Sequence, residues 1–269
     1  MNDYLLGKKL FGDDFSIEDI TQWYNQESEG YADLGSNNNL QYSYGYNNLN
    51  QMYGFNKIDK LKTFENVLGF GAAYGHELEP IISKVSAITI VEPSDQLKSK
   101  KIGTLTPTYV KPNLSGTLLF NSNSFDLITC FGTLHHIPNV SHVLTEMIRV
   151  LKPGGILLLR EPINSMGDWN YRREGLTKNE RGIPASFFKS FFKNQSVSVV
   201  STNYCFTMTA LFQRKFGHYL KRPIYSYKSY LLFDKLLSTI FAPNITYHAK
   251  NKIDRIAPSS VFYTIKKNS

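Results

Sequence analysis

Cysteine is nearly absent from this chain: Cys130 and Cys205 are the only two in 269 residues. Two thiols so far apart in sequence exclude a disulfide framework and a zinc-ribbon pattern, so stability must come from a packed core. Also missing is any run of about eighteen apolar residues, the minimum for a membrane-crossing helix. The opening stretch has only a short apolar patch broken by Lys8 and Lys9, unlike the continuous hydrophobic segment of a secretory leader. A cytoplasmic protein is expected. The six histidines show no metal-ligand spacing, so no metal is expected. Internal repeats and low-complexity linkers are absent, which leaves an ordinary globular chain.

What is present suits a large core, because 42% of residues are hydrophobic and 14% aromatic. The net charge of +8 is unevenly spread. Residues 1–162 carry 13 Lys and Arg against 17 Asp and Glu, or −4, whereas residues 163–269 carry 17 against 5, or +12. A basic C-terminal part suits an anionic partner, whether a phosphorylated small molecule, a nucleic acid or an acidic membrane surface; a merely solvated face is the alternative.

The chain divides by texture. Residues 1–62 are rich in Asn and Tyr, with a capped helix expected from Ser16 and a Gly and Asn loop from Gly35 to about Asn50. From Asn66, short apolar runs alternate with helical stretches: 66–70, 87–93, 107–111, 125–131 and 155–161. Their spacing predicts a mostly parallel, doubly wound α/β sheet. Residues 140–151 read as a helix stopped by Pro153, Gly154 and Gly155, and 76–85 as a helix despite Pro80. Two further strands are expected at 196–202 and 260–267. The expected organisation is an N-terminal helical or lid segment (1–62), a Rossmann-like core (63–204 plus 259–269) and a basic aromatic cap (205–258) between the last two strands. The apolar stretch from Tyr230 to Phe241 would serve as cap core, homodimer contact or peripheral membrane contact.

Function is read from the carboxyl ends of these strands, where doubly wound sheets bind ligands. The first strand runs into a turn containing Gly69, Phe70, Gly71, Ala72, Ala73 and Gly75, small enough to let a ligand approach the backbone. The second ends at Glu92, 21 residues after Gly71, where a carboxylate can accept hydrogen bonds from both hydroxyls of a ribose. Each feature alone also fits a plain turn or a surface acid.

Four stretches in this order resemble the class I S-adenosylmethionine-dependent methyltransferases, and their small-molecule branch in particular. They are VLGFGAAYG (67–75), ITIVEPS (88–94), NSFDLITCFGTLHHIPN (123–139) and RVLKPGGILLLREP (149–162). The resemblance implies a seven-stranded Rossmann-like sheet and S-adenosylmethionine as cofactor. Its contacts would come from Gly69, Phe70, Gly71, Ala72, Ala73, Gly75, Glu92, Pro93, Leu114, Ser115, Cys130, Phe131, Gly132 and Tyr44. Two positions depart from the family pattern. Gly69 stands where an acidic residue is usual, and Ala73 where a glycine is. The cofactor's ammonium would then turn to backbone carbonyls or to Tyr42, Tyr44 and Asn47.

A hydroxyl acceptor needs a base to take its proton, and His135, His136 and Glu161 follow the fourth and fifth strands. Asp168, Trp169, Arg172 and Arg173 combine a carboxylate, an aromatic face and two guanidinium forks, the groups that hold an anionic, sugar-like acceptor. The expected reaction is O-methylation of a sugar, a nucleotide-linked sugar or a polysaccharide precursor. A cofactor-binding but silent scaffold and an RNA methyltransferase are the alternatives. The residues Cys130-Phe-Gly-Thr133 do not match the pattern of enzymes that methylate exocyclic amines of nucleic-acid bases, which makes nucleic acid the weaker partner.

Overall fold

The computed structural model describes residues 2–36, 44–58, 62–173 and 175–269. The N-terminal part holds three helices: α1 (Asn2–Leu5), α2 (Ile17–Ser36) and α3 (Asn47–Tyr53). As expected, α2 starts after Ser16, whose hydroxyl oxygen accepts the Asp19 backbone N–H at 3.2 Å and so satisfies one orphan donor of the first turn. The expected loop gives way to helix at α3, where Leu49, Asn50 and Tyr53 are buried.

Seven strands form one sheet: β1 (Phe64–Phe70), β2 (Val85–Val91), β3 (Thr108–Val110), β4 (Phe125–Phe131), β5 (Leu151–Pro162), β6 (Val197–Cys205) and β7 (Ser260–Lys267). Their order is β3-β2-β1-β4-β5-β7-β6. The first five pair in parallel, and β7 runs antiparallel to both β5 and β6. The central strands are buried on both faces, which is why they read as unbroken apolar runs. One face packs on α4 (Val140–Val150) and α5 (Ala185–Lys193), and the other on α3 and the residues after the β1 turn. Along α4, Val140, Val143, Leu144, Met147 and Val150 are buried at helical spacing.

Three expectations are corrected. Residues His76–Lys84 form a 3₁₀ rather than an α-helix, in keeping with Pro80, which has no N–H to donate within a helix. Pro153 and the glycines after it lie inside β5, since Leu151 already pairs with Phe125 and the register shifts before Ile156 meets Leu127. Helix α5 was not foreseen in the polar stretch after β5. Between β6 and β7 lie α6 (Thr209–Phe216) and α7 (Lys228–Phe241). Helix α7 buries Tyr230, Leu231, Asp234 and Ser238 but leaves Leu232, Phe233, Leu236 and Ile240 exposed. Among the described residues no helix is long and apolar enough to cross a membrane.

Candidate functional site

The turn after β1 is shaped by steric necessity. Gly71 and Gly75 have φ of +66° and +75°. A Cβ on Gly71 would fall 2.3 Å from Thr133 Cγ2, and one on Gly75 would fall 2.1 Å from Ile102 Cδ1. Ala73 also takes a left-handed conformation, at φ 47°, which costs about 1 kcal/mol or more for a residue with a Cβ. Glu92 offsets that strain: one carboxylate oxygen accepts the Ala73 N–H at 3.1 Å and the other the Ser94 N–H at 3.0 Å. Tyr109 closes the turn from β3 by donating its hydroxyl to the Ala73 carbonyl at 2.9 Å. Burial raises the pKa of Glu92, while the two amides and Lys111 work against the rise. An ionised carboxylate has about four lone-pair sites, so Glu92 keeps acceptor capacity beyond these amides.

The other residues expected at the cofactor are more scattered. Pro93 and Leu114 are exposed. The Ser115 carbonyl accepts the Asn139 side-chain amide at 2.7 Å. Cys130 is fully buried among the α4-side apolar residues, and burial pushes its thiol pKa well up. Its Sγ lies 3.9 Å from Glu161 Oε1. Phe131 and Gly132 carry the strand end past Arg160: the Gly132 N–H donates to the Arg160 carbonyl at 2.7 Å. The Tyr44 hydroxyl accepts the Asn50 amide at 2.7 Å. Tyr42 lies outside the described residues.

The two histidines part in role. His135 Nδ1 lies 2.8 Å from Glu161 Oε2, and its Nε2 is 3.6 Å from Glu180 Oε1, too far for a hydrogen bond. Glu161 is no base. Fully buried, it accepts the N–H groups of Thr133 and Leu134 at 2.8 Å and of His135 at 3.3 Å. Burial opposes its charge, but His135 and these amides outweigh burial and set its pKa below the usual range. A carboxylate so engaged orients its neighbour rather than taking protons from an acceptor. His136 pairs instead with Glu27 of α2, at 3.1 Å from Nδ1. Burial lowers the His136 pKa, with His135 adding to the effect. Glu27 in turn accepts the Thr177 hydroxyl at 2.7 Å and the Asn179 N–H at 3.2 Å. These contacts give His136 the surroundings of a structural tie between α2 and the loop after β5, which corrects its reading as a base. Ligand atoms of His135, His136 and Glu180 lie within 4.8 Å of one another, a juxtaposition that sequence spacing gave no sign of.

The loop after β5 also folds differently from an anion clamp. Asp168 accepts the backbone and side-chain N–H groups of Asn170. Trp169 stacks on Phe11, with ring centroids 5.2 Å apart and planes within 5°. The Arg173 guanidinium donates to the carbonyls of Met166, Thr177, Lys178 and Glu180. Its donors are committed to the loop itself, so it is withdrawn as a substrate clamp. Arg172 is exposed and borders a hollow of about 390 Å³ shared with Trp169, Tyr171 and Leu176.

Two charged groups were not anticipated. Arg160, inside the apolar run of β5, pairs in register with Phe131. It is buried, and its guanidinium lies 4.0 Å from the centroid of the Tyr46 ring, which itself stacks on Tyr225 of the cap segment. Its Nη1 has no hydrogen-bond partner among the described residues. Glu77, two residues past the glycine turn, is also buried and is bonded to the Thr129 hydroxyl. A charge in an otherwise apolar strand is the available signal for Arg160; nothing in the sequence around Glu77 sets it apart from a surface acid.

Residues 68–159 match the family described as "Methyltransferase domain". A Mycobacterium ulcerans phthiotriol/phenolphthiotriol dimycocerosates methyltransferase is 33% identical over 88 residues, covering 31% of this chain and 32% of that protein. The demethylmenaquinone methyltransferase of Bacillus cereus is 46% identical over 44 residues, 16% of this chain and 19% of the other. This chain thus spans about a third or less of the length of these curated relatives. Among solved structures, a methyltransferase in complex with the Haloferax volcanii Trm112 methyltransferase activator superposes with a TM-score of 0.55 at 11% identity, over 93% of this chain and 97% of that one.

Proposed function

We propose that this chain, whose residues 68–159 match a methyltransferase domain, is a class I S-adenosylmethionine-dependent methyltransferase that methylates a hydroxyl of a small anionic molecule. The acceptor class that suits it is a sugar, a nucleotide-linked sugar or a polysaccharide precursor. One observation carries the reading. At the carboxyl ends of β4 and β5, His135 is held by Glu161, and a Cβ built on Gly132 would meet both His135 Cε1 at 3.6 Å and Arg160 Nη2 at 3.7 Å. A base and an uncommitted guanidinium thus converge on one backbone position.

The β1 turn fits the cofactor. Gly71 and Gly75 make room for Thr133 and Ile102 against the turn, and Glu92 holds the turn with lone pairs to spare for ribose hydroxyls. When bound there, S-adenosylmethionine supplies an electrophilic methyl group on a sulfonium. The protein's part is alignment and proton removal. Because ionised Glu161 can only accept, His135 Nδ1 carries the proton, and Nε2 is the nitrogen left to take one from the acceptor hydroxyl. Arg160, rather than Arg173, is the guanidinium placed to meet an acceptor carboxylate or phosphate, since a fork with spare donors recognises either.

Calorimetry with S-adenosylhomocysteine tests the cofactor reading. The wild type should bind it, and Glu92→Gln should weaken binding by about 1.5–3 kcal/mol as charged hydrogen bonds to the ribose are lost. A folded protein that binds neither S-adenosylmethionine nor S-adenosylhomocysteine at millimolar concentration sinks the proposal. The acceptor reading is checked with labelled cofactor and a panel of uronic acids, sugar nucleotides and neutral sugars. Arg160→Met should slow methylation of the anionic members about tenfold or more, in line with the loss of a charge-assisted bond, and leave neutral ones unchanged. Equal slowing on both, or no slowing, argues against an anion contact at Arg160. Binding without turnover of any acceptor would favour a silent scaffold.

A further inference from the structure

The cofactor has a second charged end: its methionine portion carries an ammonium, and an ammonium in a closed site needs an anion. Strand β1 cannot supply one at Gly69. A Cβ there would lie 2.7 Å from Ala72 Cβ and 3.8 Å from Leu78 Cδ1, so the way Ala72 packs under the turn excludes a side chain of any kind at position 69. A carboxylate nevertheless reaches this part of the sheet from elsewhere. Gly69 pairs in register with Thr129 on β4, and the Thr129 hydroxyl is bonded to Glu77 Oε1. Glu77 comes from the 3₁₀ helix that begins directly after Gly75, so the same turn that forbids an acid at 69 delivers one beside it.

Glu77 is not accounted for by folding. It is 3% exposed, it makes one side-chain hydrogen bond, and among the described residues no cation pairs with it. A buried carboxyl with so little compensation pays a desolvation penalty whenever it is charged. Burial accordingly lifts its pKa to about 7, with Thr129 and Arg160 only partly opposing the rise. Arg160 acts on it from β5 without forming an ion pair, so neither charge cancels the other.

We propose that Glu77, anchored by Thr129, is the anionic contact for the ammonium of the cofactor's methionine end, replacing the side chain that β1 cannot carry at Gly69. The proposal rests on the cofactor reading above, and its test separates the two. Calorimetric titrations compare S-adenosylhomocysteine with 5′-methylthioadenosine, which keeps the adenosine and sulfur but lacks the amino-acid end. Glu77→Gln preserves size and an acceptor for Thr129 while removing the charge. It should weaken S-adenosylhomocysteine tenfold or more and leave 5′-methylthioadenosine within twofold of the wild type. Glu77→Asp, which keeps the charge on a shorter arm, should fall between, and it stands in if the glutamine variant does not fold.

Equal weakening of both ligands would mean that Glu77 only supports the turn, and no weakening of either would mean a buried neutral acid without a role in binding. Each result overturns the assignment. If the wild type binds neither ligand, it is the cofactor reading itself that fails.

Discussion

Replacing Arg181 with Met should destabilise the protein by about 3–5 kcal/mol, the scale seen when a buried charged group is stripped from its partners. The side chain is fully buried, yet among the described residues no carboxylate forms an ion pair with it. Its Nε donates to the Phe11 carbonyl at 2.9 Å, Nη1 to Leu134 and His135 at 3.2 and 3.1 Å, and Nη2 to Ile137 and Pro138 at 2.8 and 3.1 Å. The guanidinium also lies 5.2 Å from the centroid of the Trp23 ring. One side chain therefore donates to five carbonyls in two segments. Burial lowers its pKa only to about 10, so it stays charged at neutral pH. Methionine fills much of the volume but supplies no donor, which leaves the Phe11 and Ile137 carbonyls without a partner among the described residues and the Leu134, His135 and Pro138 carbonyls with only the backbone N–H groups of Ile137, Arg181 and Val140. Arg181→Lys should lie between the two, because an ammonium has three donors and no planar fork. Denaturant unfolding midpoints measure both. A loss under about 1 kcal/mol for Arg181→Met, within the range of ordinary surface substitutions, would show that water replaces the guanidinium and that the segment is not held as described.

How far the sequence revealed this arrangement depends on the range over which each feature is determined. The strands were legible because a sheet buried on both faces needs continuous apolar runs, and β4 and β7 match their expected bounds. Helix α3 was hidden by its Asn-rich sequence, since its stability comes from Leu49 and Tyr53 packing on the sheet rather than from propensity. In the site, the turn and Glu92 could be read because both lie next to strand ends. Glu161 and Arg173 carry the residue types of catalysis and anion binding, but Glu161 is consumed by groups of the loop after β4, and Arg173 by carbonyls of its own loop, whose fold no residue pattern encodes. The Glu27 contact with Thr177 spans 150 residues of chain, and Glu77 reaches Thr129 across 52. Such a carboxylate is a surface acid in the sequence and a buried one in the fold. The sequence contained a clue in Gly69 itself, because a missing acid at a charged ligand's binding edge calls for a substitute nearby.

His135→Asn should lower turnover by about 10²–10⁴, the usual contribution of a positioned general base, while S-adenosylhomocysteine binding stays unchanged. Asparagine can place an amide N–H near the position of Nδ1, so the buried Glu161 keeps its partner and folding is spared. What is lost is the acceptor nitrogen. His135→Ala would be a poorer probe, because it strands a carboxylate that lies wholly in the interior. A second substitution tests the same step from the other side. Glu161→Gln can still use its carbonyl oxygen to accept the Thr133 and Leu134 amides, but it turns an N–H toward His135 Nδ1. That nitrogen must then accept, the proton moves to Nε2, and the nitrogen facing the acceptor can no longer take a proton. Glu161→Gln should therefore reproduce the turnover defect with the imidazole still present, and again leave cofactor binding intact. Turnover that falls less than about fivefold in both variants, well short of a base's share, would remove His135 from the proton step and leave it as a packing residue of the loop after β4.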